Sequence, residues 1–127
     1  MLKSKFFLTA LTGLLPFFAL AQADVAGNWL MAQETPDGHW EAKFTMQDDG
    51  SYTVDLGNDG SVDVRGKTEF NGDQITVWDV SGENACGSDK KGVYTYKIEG
   101  DMLTLNRVKD ECEGHGGPEG VMRMKRM

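Results

Sequence analysis

The chain has 127 residues, enough for one domain with a modest hydrophobic core. Its formal net charge at pH 7 is −7, and an acidic surface is repelled by phosphate groups. We therefore expect no nucleic-acid partner and no attraction to an anionic membrane surface.

Residues 1–23 have the pattern of a cleavable secretion signal. Two lysines precede an apolar run over residues 6–20, and small residues lead up to a cleavage site after Ala23. Cleavage leaves one domain, residues 24–127, whose charge becomes −9 because two lysines are removed. The apolar run is short for a bilayer span, so an uncleaved anchor is the weaker alternative. We predict a secreted or periplasmic protein with no membrane span after cleavage.

Beyond the signal, strand-forming stretches recur about every ten residues and are separated by turn sequences such as Asp48-Asp49-Gly50. In the second stretch apolar residues at Trp40, Ala42, Phe44 and Met46 alternate with polar ones, which is the two-residue period of a half-buried strand. The eight predicted stretches cover residues 26–32, 40–46, 52–56, 62–70, 75–78, 94–98, 103–105 and 122–124.

About eight strands joined mostly by tight turns predict an all-β domain. A meander of this kind closes most simply into a single up-and-down antiparallel barrel, which leaves no exposed sheet edge. An open sandwich is the structural alternative.

The chain has two cysteines, Cys86 and Cys112, and each lies in a Gly-rich polar segment. Because an exported chain meets an oxidising environment, we predict one disulfide between them. Cys112 and His115 could supply two of the four ligands of a structural zinc site, but cysteines joined in a disulfide cannot act as thiolate ligands. We therefore predict no metal and no cofactor.

The acidic residues form no catalytic or metal motif. Asp55, Asp59 and Asp63 lack the order and the distal Glu of a calcium loop, so we assign them turn-forming roles. The pairs Asp48-Asp49 and Asp110-Glu111 lie in predicted turns, where we expect them to be exposed. Because no nucleophile motif is present either, we predict no catalytic residues and no enzyme.

A tryptophan two residues after a glycine, Gly27-Asn28-Trp29, opens the first predicted strand. This start, together with the order of later stretches such as Gly92–Tyr96 and Gly100–Leu105, resembles the small secreted, bacterial-type lipocalin-like proteins of the calycin superfamily. The resemblance implies an eight-stranded barrel in which a cationic side chain of the last strand packs across the first-strand tryptophan.

The alternation of side chains along the last strand indicates which of its cationic residues can contact Trp29. Met122, Met124 and Arg126 share one face of the last strand because side chains alternate. If the methionine face points inward, Arg126 is the structural partner of Trp29, in a contact worth about 0.5–2 kcal/mol. The alternative is a solvated Arg126 next to the C-terminus.

The resemblance and the apolar residues together predict a non-enzymatic domain that binds a small hydrophobic molecule. A packed core built from the same residues is the alternative for the interior. A different function is that of a protein-binding module, such as an inhibitor of an exported protease or cell-wall hydrolase, with the acidic surface facing a basic partner. The ligand-binding candidates are Trp40, Phe44, Met46, Tyr52, Trp78, Tyr94, Tyr96, Met122 and Met124.

Overall fold

A computed structural model describes residues 24–113, 115 and 119–127, so the predicted signal, residues 1–23, lies outside the described residues. All elements that it contains are strands. They are β1 (Gly27–Thr35), β2 (Gly38–Met46), β3 (Ser51–Leu56), β4 (Val64–Asn71), β5 (Gln74–Ser81), β6 (Gly92–Glu99), β7 (Met102–Asp110) and β8 (Val121–Arg126). Within the described residues there is no helix long and apolar enough to cross a membrane.

The eight strands form one closed antiparallel barrel. Each strand pairs with the next in the chain, and β8 returns to pair with β1 through Trp29 opposite Arg126 and Leu30 opposite Lys125. This last pairing excludes the open sandwich and confirms the predicted all-β, up-and-down barrel. It also leaves no strand edge to pair with another chain.

Alternating side chains give the barrel its inside and its outside, and β4 shows this most clearly. Val64, Thr68 and Phe70 are buried, as is the backbone of Gly66, while every residue between them is exposed. The period of two follows from the pleat, which turns successive side chains to opposite faces of the sheet.

The connections differ at the two ends of the barrel. At the end that we call the closed end, β1 begins, β8 ends and the connections span only residues 47–50, 72–73 and 100–101. At the opposite end, which we call the loop end, they span residues 36–37, 57–63, 82–91 and 111–120. The long, Gly-rich segments of the sequence therefore lie together at the loop end.

The closed end is filled by Trp29, whose side chain is completely buried. Its indole Nε1 donates a hydrogen bond to the carbonyl of Val25 at 2.8 Å, and the guanidinium carbon of Arg126 lies 4.2 Å from the ring centroid. Arg126 also donates hydrogen bonds to the carbonyls of Ala26 and Asp24, at 2.9 and 2.8 Å. This is the Trp29–Arg126 contact that the family resemblance and strand parity together predicted.

The geometry also explains the glycine of the opening motif. Gly27 has a φ of 127°, in the left-handed region that favours glycine. A Cβ at this position would lie 3.0 Å from Nη1 of Arg126, closer than an ordinary van der Waals contact, so the guanidinium group would have to shift to make room for a side chain.

Replacing Arg126 with alanine removes the cation from Trp29 and the two hydrogen bonds to the segment preceding β1. Because this arginine is partly exposed to solvent, we expect a loss of about 1–2 kcal/mol in the free energy of unfolding. Urea denaturation of Arg126→Ala measures the loss. Arg123→Ala, an exposed position on the same strand, is the matched control and should change stability by less than about 0.5 kcal/mol. Equal effects of both substitutions would contradict the structural role of Arg126.

Candidate functional site

The interior of the barrel contains a cavity of about 450 Å³ that reaches the loop end. Residues from the loop end of the strands border it, among them Gln33, Trp40, Leu56 and Val121, whereas the closed-end residue Trp29 does not. The full lining comprises Met31, Gln33, Trp40, Phe44, Met46, Tyr52, Val54, Leu56, Val64, Ile75, Val77, Asp79, Asn84, Tyr94, Leu105, Cys112, His115, Val121, Met122 and Met124.

Seven of the nine predicted interior residues border this cavity. They come from four different strands, and the two-residue period in each strand turns them inward. These seven are Trp40, Phe44, Met46, Tyr52, Tyr94, Met122 and Met124.

Trp78 does not border the cavity. Ile75, Val77 and Asp79 of the same strand face it, and parity therefore turns Trp78 to the outer face of the barrel. There Nζ of Lys91 lies 4.8 Å from the centroid of the Trp78 ring. The expectation of a ligand-facing Trp78 is wrong because the position is one residue out of phase with Ile75 and Val77.

Tyr96 faces inward but does not border the cavity. Its ring packs edge-on against Phe70, with centroids 5.4 Å apart and ring planes at 86°. Its hydroxyl is 3.4 Å from the carbonyl of Gly72, in a closed-end turn. Tyr96 therefore belongs to the packed core at the closed end rather than to the cavity wall.

One wall of the cavity is polar and is centred on Asp79, which sequence analysis did not single out. The side chain is 3% exposed, and its Oδ1 accepts a hydrogen bond of 2.6 Å from the hydroxyl of Tyr52. Its Oδ2 accepts one of 2.9 Å from the backbone N–H of Cys86. The two-residue spacing from Ile75 and Val77 is the sequence signal that places Asp79 inside.

His115 lies between two buried carboxylates. Its Nε2 is 3.0 Å from Asp79 Oδ2 and its Nδ1 is 2.9 Å from Asp110 Oδ2. The Asp110 side chain is 1% exposed, so the expectation of an exposed Asp110 is wrong: this residue ends β7 rather than starting a turn. Asp110 also accepts hydrogen bonds from the Tyr94 hydroxyl and from the backbone N–H of Cys112.

Burial and hydrogen bonding set the protonation of this polar wall. Burial raises the pKa of Asp79, but hydrogen bonds from Tyr52, the Cys86 N–H and His115 outweigh it, and the net pKa lies below the usual value. Burial raises the pKa of Tyr52 and of Tyr94, and the hydrogen-bonded carboxylates raise both further. At neutral pH Asp79 is therefore ionised, and both tyrosines keep their protons.

Two glycines make room for these contacts. Tyr52 on β3 lies opposite Gly66 on β4, which lies opposite Asp79 on β5. A Cβ at Gly66 would overlap the Tyr52 ring, so only glycine lets the tyrosine cross β4 and reach Asp79. In the same way, a Cβ at Gly92 would overlap the Asp110 carboxylate.

A disulfide between Cys86 and Cys112 joins the two longest loops, as predicted, with Cα atoms 6.0 Å apart. The backbone N–H groups of the same two cysteines donate to Asp79 and Asp110, respectively. The disulfide therefore holds together the two loops whose backbones cap the buried carboxylates.

The described residues contain two groups of three potential metal ligands. Within each group, the ligand atoms all lie within 4.8 Å of one another. The first combines Asp79 with both cysteines, whose sulfur atoms are already joined to each other. The second is Asp55, Asp59 and Asp63. Asp55 accepts hydrogen bonds from the N–H groups of Asp59 and Gly60, and Asp63 accepts one from Leu56, so these carboxylates organise the loop in the way that sequence analysis predicted.

The fold and site together define a closed, eight-stranded antiparallel β-barrel with an internal cavity, an architecture compatible with a lipocalin-like fold. No family model, no curated protein and no solved structure matches the chain.

Replacing Asp79 with asparagine removes the charge that holds the polar wall together. At pH 7 we expect a loss of about 2–3 kcal/mol in the free energy of unfolding, because charged hydrogen bonds to Tyr52 and His115 are lost. The pKa of Asp79 is lowered in the folded state, so this stabilisation is complete above the ordinary pKa of 3.8 and is lost as the pH falls through the folded value.

The stability difference between wild type and Asp79→Asn should therefore shrink on acidification, which urea denaturation across the pH range measures. Asp101→Asn changes the same charge at an exposed position and serves as the control. A difference that stays constant down to pH values well below 3.8 would show that folding does not lower the pKa of Asp79.

Reduction of the disulfide should destabilise the fold. The bond closes a loop with a sequence separation of 26, for which the chain-entropy model gives about 3–4 kcal/mol. Urea denaturation with and without a thiol reductant measures this difference. The double variant Cys86→Ser/Cys112→Ser should be as unstable as the reduced protein and indifferent to reductant. An effect of reductant on the double variant would point to a cause other than the disulfide.

Proposed function

We propose that this protein is an exported, lipocalin-like barrel that binds a small, mainly apolar molecule in its interior and catalyses no reaction. The observation that carries the proposal is the cavity of about 450 Å³. An apolar cavity of about 150 Å³ is already large enough to bind benzene, so the space here suits a larger aromatic or branched molecule. Protein interiors are otherwise close-packed, and a large unfilled cavity costs stability.

The composition of the wall supports this function. Trp40, Phe44 and Val54 are typical of its apolar part, and Met46 and Met122 can adjust their shape to an occupant. Ligand sites in proteins are commonly cavities of this size that combine an apolar lining with a few polar groups. The polar groups here are concentrated on one wall, around Asp79.

The two ends of the barrel support a single direction of entry. The closed end is filled by Trp29, which is fully buried under Arg126. At the loop end, the exposed residues Gln33 and Asn84 border the cavity. We infer that the ligand enters between the loops.

Export and family membership are part of the same proposal. The signal pattern of residues 1–23 and the Cys86–Cys112 disulfide support secretion or a periplasmic location, where disulfides persist. The Gly27-x-Trp29 start, the Trp29–Arg126 contact and the closed eight-stranded barrel support a place among lipocalin-like proteins.

Binding is tested with N-phenyl-1-naphthylamine, a neutral apolar dye whose fluorescence rises in a dry environment. We expect saturable binding with one site per chain to the purified residues 24–127. The substitution Val77→Phe narrows the cavity and should weaken binding at least about tenfold.

Val80→Phe adds the same group to the same strand at an exposed position and should leave the affinity unchanged. Circular dichroism and the thermal midpoint establish that both variants are folded. Wild-type protein that shows no saturable binding would refute the proposed function.

A further inference from the structure

We propose that the ligand of this cavity is a cation, namely an apolar or aromatic molecule with a protonated amine that binds the carboxylate of Asp79. This inference rests on the proposed function and names the chemical class of its ligand. The preference for a cation follows from the polar wall around Asp79 rather than from the apolar lining.

Asp79 has unused capacity to accept hydrogen bonds. Each carboxylate oxygen offers two acceptor sites. Among the described residues, Oδ2 accepts from the Cys86 N–H and contacts His115, whereas Oδ1 accepts from the Tyr52 hydroxyl alone. Because Asp79 borders the cavity and is otherwise enclosed, a donor inside the cavity is the group placed to use the remaining site.

The charges around Asp79 favour a cationic donor. Asp79 and Asp110 are both buried carboxylates, and a single imidazole, that of His115, lies between them. Two carboxylates therefore share one imidazole. Arg107 is exposed and interacts with the Tyr94 hydroxyl and the His115 carbonyl. The lowered pKa of Asp79 keeps its carboxylate ionised at neutral pH.

The same charges disfavour an anionic ligand. A fatty-acid carboxylate whose apolar tail filled the cavity would bring its head group to the polar wall, against Asp79. Like charges in a partly desolvated site repel strongly, and the described lining offers no Lys or Arg to compensate.

The aromatic lining adds to the preference for a cation. Trp40, Phe44, Tyr52 and Tyr94 all border the cavity. The faces of aromatic rings attract ammonium groups, and the attraction is stronger where water is excluded.

The loop end surrounds the entrance with negative charge. Its four connections contain eight acidic residues and only two lysines. Such a surface raises the local concentration of cations and speeds their association. The residues concerned are Asp37, Asp59, Asp63, Glu83, Asp89, Glu111, Glu113 and Glu119, with Lys90 and Lys91.

The test compares three molecules that share a naphthalene ring system and differ in charge. They are the cation 1-naphthylethylamine, the neutral alcohol 1-naphthylethanol and the carboxylate 1-naphthaleneacetate. Displacement of N-phenyl-1-naphthylamine at pH 7 measures the three affinities on the wild-type protein. We expect the amine to bind at least about tenfold more tightly than the alcohol, and the acid at least about tenfold more weakly than the alcohol.

Two variants test whether Asp79 causes the preference for the amine over the alcohol. Asp79→Asn should reduce the ratio of amine to alcohol affinity to about one, while Asp101→Asn, with the same charge change at the closed end, should keep the wild-type ratio. The wild-type ratio should also persist in about 0.5 M NaCl, because a buried pair is screened far less than surface charges. If Asp79→Asn fails to fold, the wild-type series in low and high salt decides.

The outcomes separate this inference from the proposed function. Binding of the alcohol together with an amine that binds no better, or an acid that binds best, overturns the inference and leaves the apolar site intact. If the ratio of amine to alcohol affinity falls to about one in high salt, or if a folded Asp79→Asn variant keeps the wild-type ratio, Asp79 is not the residue that selects the cation. No saturable binding of the dye or of any of the three molecules overturns both proposals.

Discussion

The architecture depends on the short antiparallel pairing that joins β8 to β1. Without it, eight strands in sequence would form an open sheet with two unpaired edges. The pairing places Arg126 opposite Trp29, so the residues that close the hydrogen-bonded circle also cover the closed end of the interior. Gly27 suits the same point because its φ of 127° lies in the left-handed region and the absence of a Cβ leaves room for the guanidinium group. A three-residue motif at one end of the domain and an arginine at the other therefore act as one structural unit.

The two ends of the barrel are built differently. At the closed end, short turns bring Trp29, Phe70 and Leu103 into close contact, and the interior is packed. At the loop end, the connections are long and their backbones need partners. The buried carboxylates of Asp79 and Asp110 provide acceptors for loop N–H groups, and the disulfide fixes the two loops to each other. This arrangement keeps the cavity from collapsing while leaving a polar surface inside it.

Local patterns in the sequence were sufficient for the barrel and for most of the cavity wall. In β2 the apolar residues follow the two-residue period without interruption, and Met122 and Met124 of β8 share one face, so Phe44, Met46, Met122 and Met124 were placed correctly. In β5 the pattern Ile75, Val77, Trp78 breaks the period, and the large aromatic residue was assigned to the wrong face. Tyr96 has the correct parity, but parity does not say how far along the barrel a side chain lies, and this one lies in the packed core.

The strand rhythm, the all-β class and the disulfide pair were determined by the sequence alone, because each depends on local periodicity, turn chemistry or the presence of only two cysteines. The partner of Trp29 followed from the family resemblance together with strand parity, and the β1–β8 pairing decided between a closed barrel and an open sandwich. The polar wall was decided only by the tertiary structure. Asp79, Asp110 and His115 are separated by up to 36 positions along the chain, and an isolated Asp in a strand or before a loop has the same sequence signature whether it is solvated or buried. What buries them is the register that aligns Tyr52, Gly66 and Asp79 across three strands, together with the closure of two loops over them.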